Sequence, residues 1–431
     1  MSVNAVLKKE GISEIEQLST LKVNLISNNI ATKLCKAFPE HDFDKATLFV
    51  SLSRLSMYVA DILDSLCMAK YLSENNSIYF NKNMDLNDLN TIALHECIHY
   101  LQESKNPFGK VSKLGLATFS KKPVGVALNE AAVQLMASEA NGTPQDLVTY
   151  YNITLPSNSP TYYTLACVLL KQITYFTGTY PLYHSTLFSN DIFKNTFINK
   201  TSRTHFNIIQ NNFDKLVGLE DSLNELTIML QNIDDNITSI KTINKRIENK
   251  KEEILNLFLK TQNIIMTNCF NSEFKNVKTI SELRTFKSRL YNYQHLIGTT
   301  PNYTFYKDFY YFTMNKLEQK EEYLQNNTYI PTKSTAMVLF ETNEGILHFI
   351  KTFFRKLLKL PRMNKEHVGA TISRPRADNI RPYVFLSWFR CANWANTCTS
   401  PTINTFIRIN FVYFCTSTYT FNWTYFCTSS T

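Results

Sequence analysis

Asp85-Leu-Asn-Asp-Leu-Asn-Thr-Ile-Ala-Leu-His-Glu-Cys-Ile-His-Tyr-Leu-Gln-Glu103 is the stretch on which the fold turns. Acidic residues at its start and Asn106-Pro107 beyond its end predict a helix over 85–103. Its apolar residues, Leu89, Ile92, Ala93, Leu94, Cys97, Ile98 and Leu101, run nearly all the way round, so the helix should be central and buried. Within it, His95-Glu96-Cys97-Ile98-His99 reads HExxH. Residues four apart share one helical face, so both imidazoles can address a single ion, with Glu96 beside them as a base for a metal-bound water. Cys97 faces away from that side and reads as packing.

Two histidines and a water leave a catalytic zinc one protein ligand short. The other histidines (His41, His184, His205, His295, His348, His367) do not extend the motif to HExxHxxGxxH, since position six past His99 is Lys105. A carboxylate must therefore serve. The next helix expected, Val124 to Ala140 with Asn141-Gly142 as its stop, carries Glu130 among Ala127, Leu128, Ala131, Ala132, Val133 and Leu135, with no Lys or Arg inside it. An unpaired acid there is costly, and a metal is what best compensates it; an exposed position or a buried basic partner is the plainer reading. Glu96 to His99 is also half of a di-iron carboxylate pattern, but no second Glu-x-x-His exists, because Glu344 to His348 has the wrong spacing.

Outward from these helices, Ser77-Ile-Tyr-Phe80 is a short strand candidate between Asn-rich turns, and Leu147 to Gly178 reads as core with a further helix after Pro156 and Pro160. After Gly218 the pattern changes. Leu219, Leu223, Leu226, Leu230, Ile233, Ile237, Ile240, Ile247, Ile254 and Phe258 alternate in spacings of three and four, with Asn244 and Lys251 breaking the series at one heptad position. That pattern serves either an antiparallel hairpin closed by helices near 281–296 and 302–324 or a homodimer seam through 219–258. Residues 344–360 form a basic amphipathic helix stopped by Pro361, suited to docking on its own protein or touching an anionic membrane surface. The expectation is an α+β, predominantly helical chain divided into 1–215, a catalytic domain with a small sheet; 216–330, a helical coiled-coil domain; 331–363, the basic helix region; and 364–431, an atypical tail.

The tail from Asn379 to Thr431 has no Lys, Asp, Glu or Gly, and Cys-Thr-Ser recurs at 398, 415 and 427. One hypothesis is translation out of frame. Trp394-Ala-Asn-Thr397 and Trp423-Thr-Tyr425 can both be back-translated so that a shifted frame reads Gly-Pro-Thr, a collagen-like repeat. Sequencing the gene decides it, since a Gly-X-Thr repeat missing from both other frames would end the idea. A native tail would be a poorly ordered or Cys-linked appendage.

The chain has 431 residues, 44% hydrophobic and 19% charged, which is a globular composition. Its net charge of +9 is misleading, because residues 1–350 hold 34 basic and 34 acidic side chains and all the excess lies beyond them. A nucleic-acid-binding body would carry that charge throughout, so no nucleic-acid partner is expected. Nine Cys without a CxxC pair argue against a zinc ribbon or disulfide scaffold, and the first five read as reduced, mostly buried thiols. Neither a signal core nor a membrane-length apolar run stands out, which gives a cytoplasmic expectation, with surface association through the tail as the exception.

With these residues in view, Ala93-Leu-His-Glu-Cys-Ile-His-Tyr-Leu-Gln102 and Ala127-Leu-Asn-Glu-Ala-Ala-Val-Gln134 resemble the gluzincins, the thermolysin-like clan of zinc metallopeptidases. The resemblance covers residues 70–145. It implies a zincin-like domain, Zn2+ on His95, His99 and Glu130, Glu96 as general base, and hydrolysis of a peptide or protein substrate lying along Ser77, Ile78, Tyr79 and Phe80 as an edge strand. Asn129 and Gln134 would support the ligands, Gln134 standing where the clan often has an acid. Tyr162, Tyr163 and His184 are candidates for steadying the oxyanion. The alternative is an inactive metal-binding relative whose coiled coil works in structural or surface assembly.

Overall fold

The computed structural model describes residues 3–63, 67–84, 89–107, 109–119, 123–232 and 237–326. The expected basic helix over 344–360 and the tail, with the frame question, lie outside these residues.

Chain order begins with α1 (Val3–Lys9), β1 (Ile12–Gln17), α2 (Thr20–Ala37), α3 (Lys45–Leu52), β2 (Ser56–Ile62), β3 (Ala69–Leu72), β4 (Ser77–Asn81) and α4 (Leu89–Leu101). Helix starts follow their caps: Ser19 accepts the Lys22 N–H ahead of α2, and Asp44 accepts those of Ala46 and Thr47 ahead of α3. The strands form one mixed sheet in the order β1-β2-β4-β3, with β4 parallel to β2 and antiparallel to β3. Period-two alternation splits its side chains between two layers. Met57, Tyr71, Ile78 and Phe80 join the main core with α2 and α4, whereas Ala60, Ile62, Leu72 and Tyr79 meet Val6 and Leu7 of α1.

This order corrects the expected role of Ser77, Ile78, Tyr79 and Phe80. They lie in β4, buried along its length and bonded on both sides; the edge beside α4 is β3. A strand covered on both faces by α1 and the core reads as a continuous apolar run, which the sequence could not distinguish from an edge.

Next come β5 (Glu103–Lys105), β6 (Val111–Leu114), β7 (Ala117–Phe119), β8 (Pro123–Val124) and α5 (Val126–Ala140), the four strands forming a small antiparallel sheet in sequence order. The hairpin β9 (Asp146–Tyr150) and β10 (Ile153–Ser157) leads to α6 (Thr164–Thr177), α7 (Thr179–Phe188), α8 (Ile192–Lys200) and α9 (Arg203–Gln231). The described chain closes with α10 (Ile237–Asn276), α11 (Ile280–Asn292) and α12 (Phe305–Asn326). A capping box between Thr279 and Glu282 starts α11.

The heptad stretch 219–258 is not one helix. It breaks after Gln231, and α10 folds back antiparallel on α9, with Asn212 of α9 donating to Thr261 of α10 at 3.0 Å. Leu223, Leu226, Ile247, Ile254 and Phe258 are buried inside the chain, so this seam is taken up by its own hairpin. Asn244 is exposed rather than set in a seam. The expected division at 215 falls inside α9, and one core runs from Leu18 through Ala127, Leu165, Phe213 and Leu259 to Leu317. The described chain is therefore mixed α+β, mostly helical, with three small sheets. Among its residues, no helix is long and apolar enough to cross a membrane, and Cys35, Cys67, Cys97, Cys167 and Cys269 are all free thiols.

Candidate metal centre

Helices α4 and α5 lie against each other and present His95, His99 and Glu130 to one point. His95 Nε2 and His99 Nε2 are 3.1 Å apart, and Glu130 Oε2 stands 3.5 and 3.4 Å from them. Donors bound tetrahedrally at about 2.0–2.1 Å from an ion are separated by about 3.3 Å, so the three atoms already stand at ligand spacing. Among the described residues this is the one group of three or more His, Cys, Asp or Glu side chains arranged to hold a metal. Two imidazole nitrogens and one carboxylate oxygen suit a borderline transition metal better than magnesium or calcium, which prefer all-oxygen sites.

Burial makes the cluster costly without an ion. His99 and Glu130 have 0% and 1% of their side chains exposed, while His95 keeps 15%. Glu130 Oε1 is buried with no hydrogen-bond partner. An orphaned oxygen on a buried carboxylate is the kind of defect a cation removes. Desolvation pushes the Glu130 carboxyl up, but the adjoining His99 and His95 outweigh it and hold it at about 2. Desolvation likewise works against charge on His99, yet Glu130 raises its pKa above the ordinary imidazole value. In the metal-free state a proton thus resides on the imidazole side of this pair.

Glu96 is on the same helix, one residue past His95, with its carboxylate Oε2 accepting the Tyr71 N–H of edge strand β3 at 2.9 Å. Burial raises its pKa; the two histidines oppose that shift and Glu130 adds to it. A carboxyl held by one main-chain donor and biased toward taking a proton fits a general base. Cys97, on the opposite side, is fully buried and its thiol is pushed up by desolvation, as expected for packing.

Behind the ligands stand amides. Gln134 Oε1 is 3.0 Å from His95 Nδ1, and Gln102 Oε1 is 2.9 Å from His99 Nδ1. Asn129 does not touch a ligand directly; its Nδ2 donates to Gln102 Oε1 at 3.0 Å. Gln102 escaped the sequence reading, although its place three residues after His99 puts it on the ligand face and could have flagged it.

Of the oxyanion candidates, Tyr163 lies at the centre, its ring nearly parallel to that of His95 with centroids 6.4 Å apart. It holds a left-handed backbone, φ 50°, at the start of α6, a strained conformation for a bulky residue of the sort that gathers at functional sites. Tyr162 helps close the preceding loop, its carbonyl accepting the Ser159 hydroxyl at 2.6 Å. His184 belongs elsewhere: it lies among His41, Tyr180 and Phe188, with Nδ1 2.8 Å from Asn190 Nδ2.

Comparison with known protein families, with curated proteins and with solved structures finds no match to this chain.

Proposed function

We propose that the chain is a zinc-dependent peptidase of the gluzincin type, with His95, His99 and Glu130 as ligands and Glu96 as general base. The observation that carries this reading is the convergence of the three ligand atoms at tetrahedral spacing beside an acid held from the sheet edge. The donor set fits zinc, which when bound would supply Lewis acidity to polarise a carbonyl and acidify a water. Glu96 takes a proton from the attacking water and returns it to the leaving amine, and the Tyr71 N–H anchors one oxygen of its carboxylate. Tyr163, whose ring lies beside that of His95, is our choice of donor to a developing oxyanion. A peptide substrate would meet β3 rather than β4, because β3 is the edge.

The test is metal analysis of the purified full chain joined to a peptide-library assay. Stoichiometric zinc with cleavage that Glu96→Gln abolishes supports the reading. Stoichiometric zinc without cleavage points instead to a metal-binding protein with no hydrolytic activity, and absence of metal binding removes both.

A further inference from the structure

Thr186 lies in the last turn of α7, where main-chain carbonyls have no partner within the helix. Gln102 Nε2 donates to its oxygen at 2.9 Å. A carbonyl can only accept, so the Gln102 amide has one orientation, with its NH2 toward Thr186 and its oxygen toward His99. The Leu116 N–H acts from the opposite side, in the turn between β6 and β7. As a donor only, it holds Asn129 Oδ1 at 3.0 Å and turns Asn129 Nδ2 toward Gln102 Oε1. Gln102 Oε1 therefore faces one donor already, and an acceptor at His99 Nδ1, 2.9 Å away, would be repelled. His99 Nδ1 therefore carries a proton, and once the ring is neutral the lone pair is on Nε2, the nitrogen aimed at Glu130 and His95.

We propose that Gln102 and Asn129 form a positioning relay that sets the His99 tautomer for metal binding, with its direction fixed by two main-chain groups, the Thr186 carbonyl and the Leu116 N–H. The relay rests on the peptidase reading only for the identity of the ion. Further contacts keep it in place. Ser189, at the end of α7, donates its hydroxyl to the Gln102 carbonyl and accepts the Gly115 N–H at 2.7 Å. Gly115 leaves the room the two amides occupy: a Cβ there would come within 2.6 Å of Gln102 Nε2 and 3.0 Å of the Thr186 oxygen. The turn at 115–116 and the end of α7 thus govern a ligand they never touch.

The test uses the full chain, 15N-labelled at histidine and metal-free, at alkaline pH where the rings are neutral. Long-range 1H–15N spectra should show His99 protonated at Nδ1. In Asn129→Asp the carboxylate still accepts from Leu116 but repels Gln102 Oε1. The Gln102 amide can then no longer serve Thr186 and His99 together, the preference for Nδ1–H weakens, and the zinc Kd from chelator competition rises by about 10–100-fold. Gln102→Glu loses the bond to Thr186 but keeps an acceptor at Nδ1 and should retain the Nδ1–H tautomer, whereas Gln102→Leu loses the preference. A purely structural role would lower the Tm of these variants and leave the ring nitrogens unmoved. The relay is overturned by Nε2–H on wild-type His99, or by an unchanged tautomer and Kd in Asn129→Asp. Failure of the wild type to bind zinc, with Nδ1–H observed, counts against the peptidase reading and leaves the relay standing on its spectra.

Discussion

The Tyr71 N–H and the Glu96 carboxylate are 2.9 Å apart, so the edge of the sheet grips the acid that follows the first histidine. Glu96→Gln retains an oxygen to accept that N–H and leaves all three ligands in place, but cannot take a proton. We expect zinc stoichiometry to be unchanged and kcat/KM to fall by about 10²–10⁴-fold. His99→Ala should instead lose the metal. Metal analysis and kinetics on the two variants separate these outcomes, and an active Glu96→Gln protein refutes the base.

Proton release should accompany metal binding. Glu130 raises the His99 pKa against the cost of burial, so the metal-free protein carries a proton that must leave before Nε2 can bind an ion. Apparent zinc affinity should therefore climb by about tenfold per pH unit below the His99 pKa and level off above it. Calorimetry in buffers of different ionisation enthalpy should report close to one proton released per ion. Removing the metal should lower the Tm, since free zinc at 100 times its Kd adds about 2.7 kcal/mol of stability.

His41 predicts a separate acid sensitivity. Its ring is buried with both nitrogens lacking hydrogen-bond partners, stacked on Tyr180 with centroids 4.7 Å apart. Desolvation lowers its pKa, Glu40 opposes that and His184 adds to it. A histidine kept neutral in the fold binds its proton first in the unfolded chain, so stability is full above about pH 6.5 and declines as pH falls below it. The decline from one such group is no steeper than about 1.4 kcal/mol per pH unit. His41→Phe should remove that component from denaturation midpoints measured between pH 5 and 7, and an unaltered profile would refute it.

Gly298 is a packing site. A Cβ there would meet Phe258 Cε1 at 2.6 Å and Ile153 Cγ2 at 2.9 Å, where α10 meets the β9–β10 hairpin. Gly298→Ala should destabilise the chain by about 1–3 kcal/mol in urea titration, with no change at the metal centre.

Much of the candidate site was legible because its residues lie within two short helices. His95 to His99 and Glu130 are read from period and from the cost of an acid in an apolar helix, and the described bounds, Leu89–Leu101 and Val126–Ala140, match those expectations closely. The supporting shell was less legible. Gln102 acts through Thr186 and Asn129, contacts made across 84 and 27 positions of chain, which no local pattern encodes. The sheet order escaped for a similar reason. β1 has one buried residue, Ile12, and little period-two signal, so the strand that makes β2 interior left no mark. The heptads were visible, yet periodicity alone does not say where a helix turns back on itself.

The single core that joins α5 and α6 to Phe213, Leu216 and Phe258 has a consequence for dissecting the chain. Asp214 of α9 accepts the Ala127 N–H at the start of the Glu130 helix, and Gln172 of α6 donates to Gln262 of α10 at 2.8 Å. A fragment ending at residue 215 would cut α9 in mid-course and strip packing from α5, the helix that carries Glu130. The motif-bearing half shares its core with the helices that follow it. Amide protons of α4 and of α10 should exchange through the same global opening, and a protease nick in the helical hairpin should weaken metal binding by the His95, His99 and Glu130 cluster at a distance.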